Sequence, residues 1–499
     1  MRRKRLYYNT ASSLLNQIVA LISGFIIPRL ILGTYGSDVN GLVSSITQFL
    51  GFIALLDMGV GAVVQAAYYK PLAEKNNRTV SLLFNQSKSF FRIIASILLV
   101  YVAILCFVFP VFINTSYDYS YTVLLILSIS VSLFAQYYFA VPHQLLLNAD
   151  QRLYIQSNAQ IAALVLNTVS SAILMVSGCS IQTVKLMSSI VFLIRPIFLA
   201  TYVKKHYKID YSLKNQNFKI EQKWNGLAQH CATVVMNNTD VMVLSVFSTM
   251  KDVSIYSVYY LVVNGIKQLI NALSGGFNSL LGNILACNEE KLLKETFEQF
   301  EWIMHTLVIA IFSITGLLLP SFILCYTKGI IDANYYQPLF AVLMTISQAI
   351  YCIRIPYNTM ITSAGHYKQT QMSAVVEVII NVIISVILVY KYGLIGVTIG
   401  TLIAMVYRTI YFICYLHNNI IGIKYSTVVK QVFADCIQII LIIIVDVVIR
   451  KFLFFEYTYI HWIGHATIIC LCTGFIIAGF NIIVYKARVI NVLKKIKKR

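Results

Sequence analysis

The sequence predicts an all-α polytopic membrane protein with about 14 transmembrane helices, arranged as two pseudo-symmetric six-helix lobes plus two extra C-terminal helices. Three observations carry this. The 499 residues are 58% hydrophobic and only 12% charged, whereas a soluble protein is about a quarter charged. Apolar stretches of bilayer length follow one another from end to end, each near the roughly 20 residues that a spanning helix needs. Landmark residues recur at one constant offset. Such a chain lacks the charge to cover a soluble surface and is too apolar to be disordered.

Fourteen stretches qualify as spans: 8–33, 42–68, 90–113, 120–141, 157–177, 181–203, 225–248, 254–286, 302–326, 335–356, 371–390, 393–416, 428–449 and 458–485. Those at 42–68 and 254–286 are long, which allows tilt or a kink. The basic N-terminus MRRKR leads into YYNTASSLLNQ with no small-residue cleavage site, so the first span reads as retained rather than as a signal peptide. An even number of spans puts both termini on one side.

Charge decides which side. The two tails and the even-numbered loops hold 28 Lys and Arg, the odd-numbered loops 6. This bias places both termini in the cytoplasm. It also accounts for the net charge of +20 without nucleic acid as a partner, because no basic domain stands outside the apolar runs. The acidic segment NEEKLLKETFEQFEW after span eight is read as a cytoplasmic loop. The ten cysteines form no CxxC pair and read as small membrane hydrophobes rather than metal ligands or disulfides. No phosphate loop, zinc-protease signature or nucleophile elbow occurs; DMGVG at 57–61 lacks a third glycine and lies within a span. The chain is therefore read as a secondary carrier and not an enzyme, with no cofactor.

The repeat sets the domain organisation. Asp38-Val39 matches Asp252-Val253, Val141-Pro142 matches Ile355-Pro356 and Asn167 matches Asn381, each 214 residues apart; Arg195 matches Arg408 at 213. Six spans separate the copies, so both lobes share one orientation and are related by an axis along the membrane normal. The expected divisions are an N-terminal lobe 1–210, a cytoplasmic linker 211–224, a C-terminal lobe 225–417, an extra helix pair 418–486 and a basic tail 487–499. Two such lobes around a midplane cavity are a transporter architecture.

A charge within a span is costly unless it faces a cavity or a partner. Arg29 lies near the outer end of span one beside Pro28, where the topology disfavours a cation; it is expected to bind substrate. Lys267 is mid-span in span eight, where Asn264, Lys267, Gln268, Asn271, Ser274, Gly275 and Asn278 recur at helical spacing. That continuous polar face is expected to wall a cationic cavity, with Lys267, Asn264 and Asn271 binding substrate. Asp57 and Asp240 are the acidic counterparts in a gating or coupling role, and Asp240 is expected to pair with Arg29 as an outer gate. Glu377 shares a face with Ser373, Asn381 and Ser385, whereas the first lobe has Ala163, Asn167 and Ser171. An acid in one lobe only fits a proton or sodium site, or a solvated carboxylate; both readings stay open. Arg195 and Arg408 are expected to line the cavity, and Arg354 to snorkel to the cytoplasmic interface. Five cations against three acids in the first twelve spans favour an anionic substrate, with phosphate well matched to Arg and Lys.

Four stretches carry a family resemblance: PRLILGTYGSDVNGLVSSITQFLGFIALLDMGVGAVV at 28–64, MNNTDVMVLSVFSTMKDVSIYSVYY at 236–260, PHQLLLNADQR at 142–152 and PYNTMITSAGHYK at 356–368. They resemble the polysaccharide-export flippases of the multidrug/oligosaccharidyl-lipid/polysaccharide (MOP) superfamily, the Wzx-type O-antigen and capsule repeat-unit flippases. The resemblance implies a MATE-like fold in a bacterial plasma membrane. It implies an alternating-access carrier that moves an undecaprenyl-diphosphate-linked oligosaccharide repeat unit, of O-antigen, capsule or exopolysaccharide, from the cytoplasmic to the outer leaflet. Cavity cations would hold the diphosphate and sugar, with Arg29 at the family's basic position in span one and Asp240 at its acidic position in span seven. Membrane lipids, a polysaccharide polymerase and glycosyltransferases are the implied partners, and an H+ or Na+ gradient or the membrane potential the implied drive. Fourteen spans are more typical of the related lipid II flippases, where the last two form a groove for the lipid tail. The rival readings are a lipid II flippase, a cation-coupled drug exporter of the same superfamily, and a non-transporting scaffold of a polysaccharide synthesis complex.

Overall fold

The computed structural model describes residues 2–57, 60–113, 117–213, 227–452, 457–486 and 488–490. Among them no strand occurs, and eleven helices are long and apolar enough to cross a membrane. The chain divides into two compact units, Met1–Ser254 and Ile255–Arg499. Most of the linker and most of the basic tail lie outside the described residues.

The first unit begins with α1 (Arg2–Gly51), a 3-10 turn (Phe52–Asp57) and α2 (Val60–Ala73). Spans one and two were expected to be parted by an outer loop. Instead the chain turns within α1 at Gly36, at φ 84° and ψ 179°, a conformation open to glycine and costly for other residues. A second glycine closes the bend: a Cβ on Gly41 would stand 1.8 Å from the Met250 carbonyl oxygen. Beside it Asn40 donates to Ser254 Oγ at 2.8 Å and Ser45 to Ser245 Oγ at 2.6 Å.

The unit continues through α3 (Asn77–Phe112), α4 (Tyr119–Ala135), a π turn (Gln136–Ala140), α5 (Val141–Ala149), α6 (Leu153–Val176), α7 (Ile181–Phe192), α8 (Ile194–His206) and α9 (Leu227–Phe247). Pro142 and Pro196 explain why α5 and α8 begin anew, since proline cannot donate to the preceding turn. The NADQR stretch makes a junction between α5 and α6. Asp150 accepts from Arg152 Nε at 2.8 Å and from the Tyr207 hydroxyl at 2.6 Å, while Arg5 donates to the Asp150 carbonyl at 3.0 Å. Burial, then the Asp150 carboxylate, pushes the Tyr207 phenol well above its usual range, so it stays a donor.

The second unit holds α10 (Met250–Ala286) from Ile255 on, α11 (Glu290–Tyr326), α12 (Pro338–Ile353), α13 (Ile355–Ser363), α14 (Tyr367–Tyr392), α15 (Leu394–Asn419), α16 (Tyr425–Phe452) and α17 (Tyr459–Val484). The acidic segment expected as a loop is instead the start of α11, which begins at Glu290. Its apolar face is buried through Leu293, Phe297 and Phe300.

Breaks in the backbone repeat at the offset read from the sequence. α3 and α11 start at 77 and 290, α5 and α13 at 141 and 355, α6 and α14 at 153 and 367, α7 and α15 at 181 and 394. The left-handed turn residues Lys75 and Gln151 recur as Asn288 and Gly365. Even a junction contact recurs: Arg152 donates to Tyr202 at 3.1 Å, and His366 lies 2.9 Å from the Tyr415 hydroxyl. With α4–α5, α7–α8 and α12–α13 each taken as one interrupted rod, and α1 divided at Gly36 with its second part counted together with α2, the described helices make fourteen rods.

Candidate functional site

Three sequence-predicted residues meet in the second unit, around one acid. Glu377 on α14 is 1% exposed. Its Oε1 accepts from Arg354 at 2.5 Å, and its Oε2 accepts from Arg408 of α15. Arg354, expected to snorkel into the interface, is instead 6% exposed. It sits at the break between α12 and α13 that Pro356 enforces, and the break aims it at the carboxylate rather than at water. The solvated-acid reading of Glu377 is corrected by the same geometry: burying an ion costs several kcal/mol, and here both carboxylate oxygens are taken by guanidinium groups.

Aromatic rings extend the cluster to Lys267. Its ammonium lies 4.9 Å from the Tyr351 ring and 5.6 Å from that of Tyr260. Arg354 lies 5.1 Å from the same Tyr351 ring, and Arg408 5.0 Å from the Phe412 ring. Such contacts contribute about 2 kcal/mol when desolvated. Lys267 is itself 8% exposed. Two arginines thus hold one acid and Lys267 joins them across the Tyr351 ring, so these four charged groups sum to two positive charges. Arg408 Nε is buried without a hydrogen-bond partner, so one donor of the cluster is unused. Sequence reasoning assigned no binding role to Arg354, Tyr260 or Tyr351. The Pro356 break and the helical register of Tyr351 with Arg354 were the signals at hand.

The other predicted residues take other places. Asn264 and Asn271 are half-buried on α10. Arg29 is half-buried on α1, its guanidinium lying over Gly33. Asp57 ends the 3-10 turn, where its Oδ1 is buried without a partner and His230 acts on it electrostatically. Asp240 is buried on α9, next to Asn238, which packs against Gly51. Arg195 is half-buried at the start of α8 and lines a cavity of the first unit.

The last two helices are tied to α11 by polar contacts. Trp302 donates to Asn481 at 2.7 Å, and His305 Nδ1 lies 2.5 Å from Asp435, which also accepts from Gln431 at 3.1 Å. Asp446 accepts from Arg450 at 2.8 Å and lies 2.9 Å from His465. Both acids of span thirteen are therefore partnered within the protein.

No protein-family model matches the chain, and no curated protein sequence does. Solved structures do. The lipid II flippase MurJ in an inward closed conformation matches with a TM-score of 0.68 at 14% identity, over 96% of this chain and 99% of that one. An inward-facing multidrug resistance MATE transporter of the MOP superfamily matches with a TM-score of 0.65 at 13% identity, over 81% of this chain and 95% of that one. The eukaryotic MATE transporter AtDTX14 matches with a TM-score of 0.58 at 12% identity, over 88% and 98%. The chain is a multi-pass membrane protein with a MATE- and MurJ-like fold.

Proposed function

We propose that this protein is a flippase that carries a diphosphate-linked lipid oligosaccharide from the cytoplasmic to the outer leaflet of a bacterial plasma membrane by alternating access. The observation that carries the reading is the excess of two buried positive charges around Glu377, with an unused donor on Arg408. Buried cations of this kind suit a multiply charged oxyanion. A cationic drug would meet like charge there, which sets the drug-exporter reading below the flippase reading. Lys267, Arg408, Arg195 and Arg29 hold the diphosphate or an anionic sugar, with Asn264 and Asn271 reaching the sugar hydroxyls. Asp57, Asp240 and Glu377 gate or couple, Asp240 against Arg29. The drive is a proton or sodium gradient, or the membrane potential, worth about 2.3 kcal/mol per elementary charge per 100 mV. The carried unit serves O-antigen, capsule or exopolysaccharide, handed on from glycosyltransferases to a polymerase.

Lipid II is the second reading. The MurJ structure covers 96% of this chain, too much to leave out α16 and α17, whereas the MATE matches cover less.

The test is the leaflet that holds the lipid-linked glycan in cells lacking the protein. Glycan accumulates on the cytoplasmic face, and wild type relieves it while Lys267→Gln and Arg408→Gln do not. In the same assay the double swap Arg29→Asp with Asp240→Arg exports more than either single change. Normal outer-leaflet delivery without the protein, in cells with no second flippase, overturns the proposal and leaves the scaffold reading.

A further inference from the structure

The repeat shows what the second unit has and the first lacks. Counting back 214 residues, Glu377 corresponds to Ala163 and Arg354 to Ala140, while Arg408 corresponds to Arg195 at 213. The register is firm here because α5 and α13 share it from the first residue to the last, 141–149 and 355–363. The first unit therefore keeps one arginine of the triad and replaces the carboxylate and the second arginine with methyl groups.

The space is not filled by neighbours. A cavity of about 260 Å³ opens there, lined by Ser132, Gln136, Ala140, Gln160, Phe192 and Arg195. Arg195 Nε is buried with no hydrogen-bond partner, and among the described residues no acid pairs with it. Gln160 Oε1 is likewise buried without a partner, and a half-turn of that amide presents its NH2 at the same place. Gln136 and Ala140 are the two ends of the π turn, an irregularity that recurs at functional positions. A guanidinium in such a place costs free energy unless something accepts its protons.

We infer that this cavity is a binding site for a small oxyanion, a phosphate or carboxylate, seated on Arg195 with the amides of Gln136 and Gln160 as further donors. The second unit supplies the precedent in covalent form, for Glu377 is an oxyanion held by the matching arginine. The exposed apolar side chains of Ile194, Ile197 and Phe198 adjoin Arg195 in sequence. The site is thus open to two sources of the same chemistry, a lipid phosphodiester or a free anion. Arg195 is among the cations proposed above to hold the carried diphosphate, so the site deepens that reading as the first unit's own anion subsite, while its binding is read on purified protein without transport.

Titration of the full chain, purified in an uncharged detergent, tests this with two probes: inorganic phosphate and dihexanoyl-phosphatidylglycerol. Saturable binding of either is expected, and whichever binds more tightly identifies the source. Loss of one charge-assisted contact in Arg195→Gln weakens that binding by about tenfold or more, whereas Lys267→Gln retains it. Ala163→Glu, which restores the carboxylate of the second unit, occupies the site from within: it abolishes probe binding and raises the unfolding temperature. Absence of saturable binding of both probes, or binding that survives Arg195→Gln unchanged, overturns the inference. So does an Ala163→Glu variant that folds and still binds the probe as wild type does.

Discussion

Glu377 holds together more charge than it carries. With Arg354 and Arg408 on its two oxygens, the three residues sum to one positive charge, so the three single deletions are not equivalent. Glu377→Gln leaves two guanidinium groups facing each other out of water. Breaking a buried pair in this way costs about 3–5 kcal/mol. Arg354→Met leaves a neutral Glu377–Arg408 pair and fills the vacated space with an apolar chain, so it costs far less. Thermal unfolding of the two variants in detergent checks the order. Equal losses would mean that the arginines are held by packing and rings rather than by the carboxylate. The sequence placed Glu377 on one polar face with Ser373, Asn381 and Ser385 and matched Arg408 to Arg195, but it offered no reason to join Arg354 to Glu377, 23 residues away. No spacing rule relates a residue at a helix break to one on the next helix. Asp446 and Arg450, four apart on one helix, form the kind of pair that spacing does reveal.

Among the helices, α14 and α15 form a pair in which backbone approaches backbone closely at two glycines. A Cβ on Gly396 would stand 2.4 Å from the Leu388 carbonyl oxygen, and one on Gly400 2.3 Å from Ser385 Oγ and 2.8 Å from its backbone nitrogen. Backbone cannot yield as a side-chain end does, so Gly396→Ala forces the two helices apart. With them move Glu377 and Arg408, which face each other across the same pair. The expected outcome is a lower unfolding temperature and a larger aggregated fraction on size exclusion. Gly474→Ala, on α17 with nothing within 4 Å of the added methyl, instead gains helix propensity of about 1 kcal/mol. At the matching places α7 carries Thr183 and Met187, so the two halves close this hairpin with different residues. Element boundaries were largely legible because length and hydropathy fix a membrane helix. Some were misread for physical reasons. Gly36 turns the chain in a single residue, where a loop was expected. The acidic opening of α11 is amphipathic helix, which a search for continuous apolar runs passes over.

For the whole molecule, the repeat and the charge bias are independent arguments about orientation. The repeat places an even number of expected spans between equivalent sequence positions. On the 28 to 6 division of Lys and Arg, both termini are expected on the cytoplasmic side. Single cysteines in a background cleared of the ten native ones decide the matter. Lys391 and Lys205 are both exposed in the structure, the first at the end of α14 and the second in the last turn of α8. A membrane-impermeant maleimide added to intact cells labels Lys391→Cys and leaves Lys205→Cys unlabelled until the membrane is opened. The reverse pattern would put the termini outside. The Arg354 break and the Arg195 cavity, both placed in the cytoplasmic halves of their rods by this topology, would then open toward the outer leaflet. A carrier loading a cytoplasmic diphosphate would be ruled out in favour of one that takes up its anion from outside.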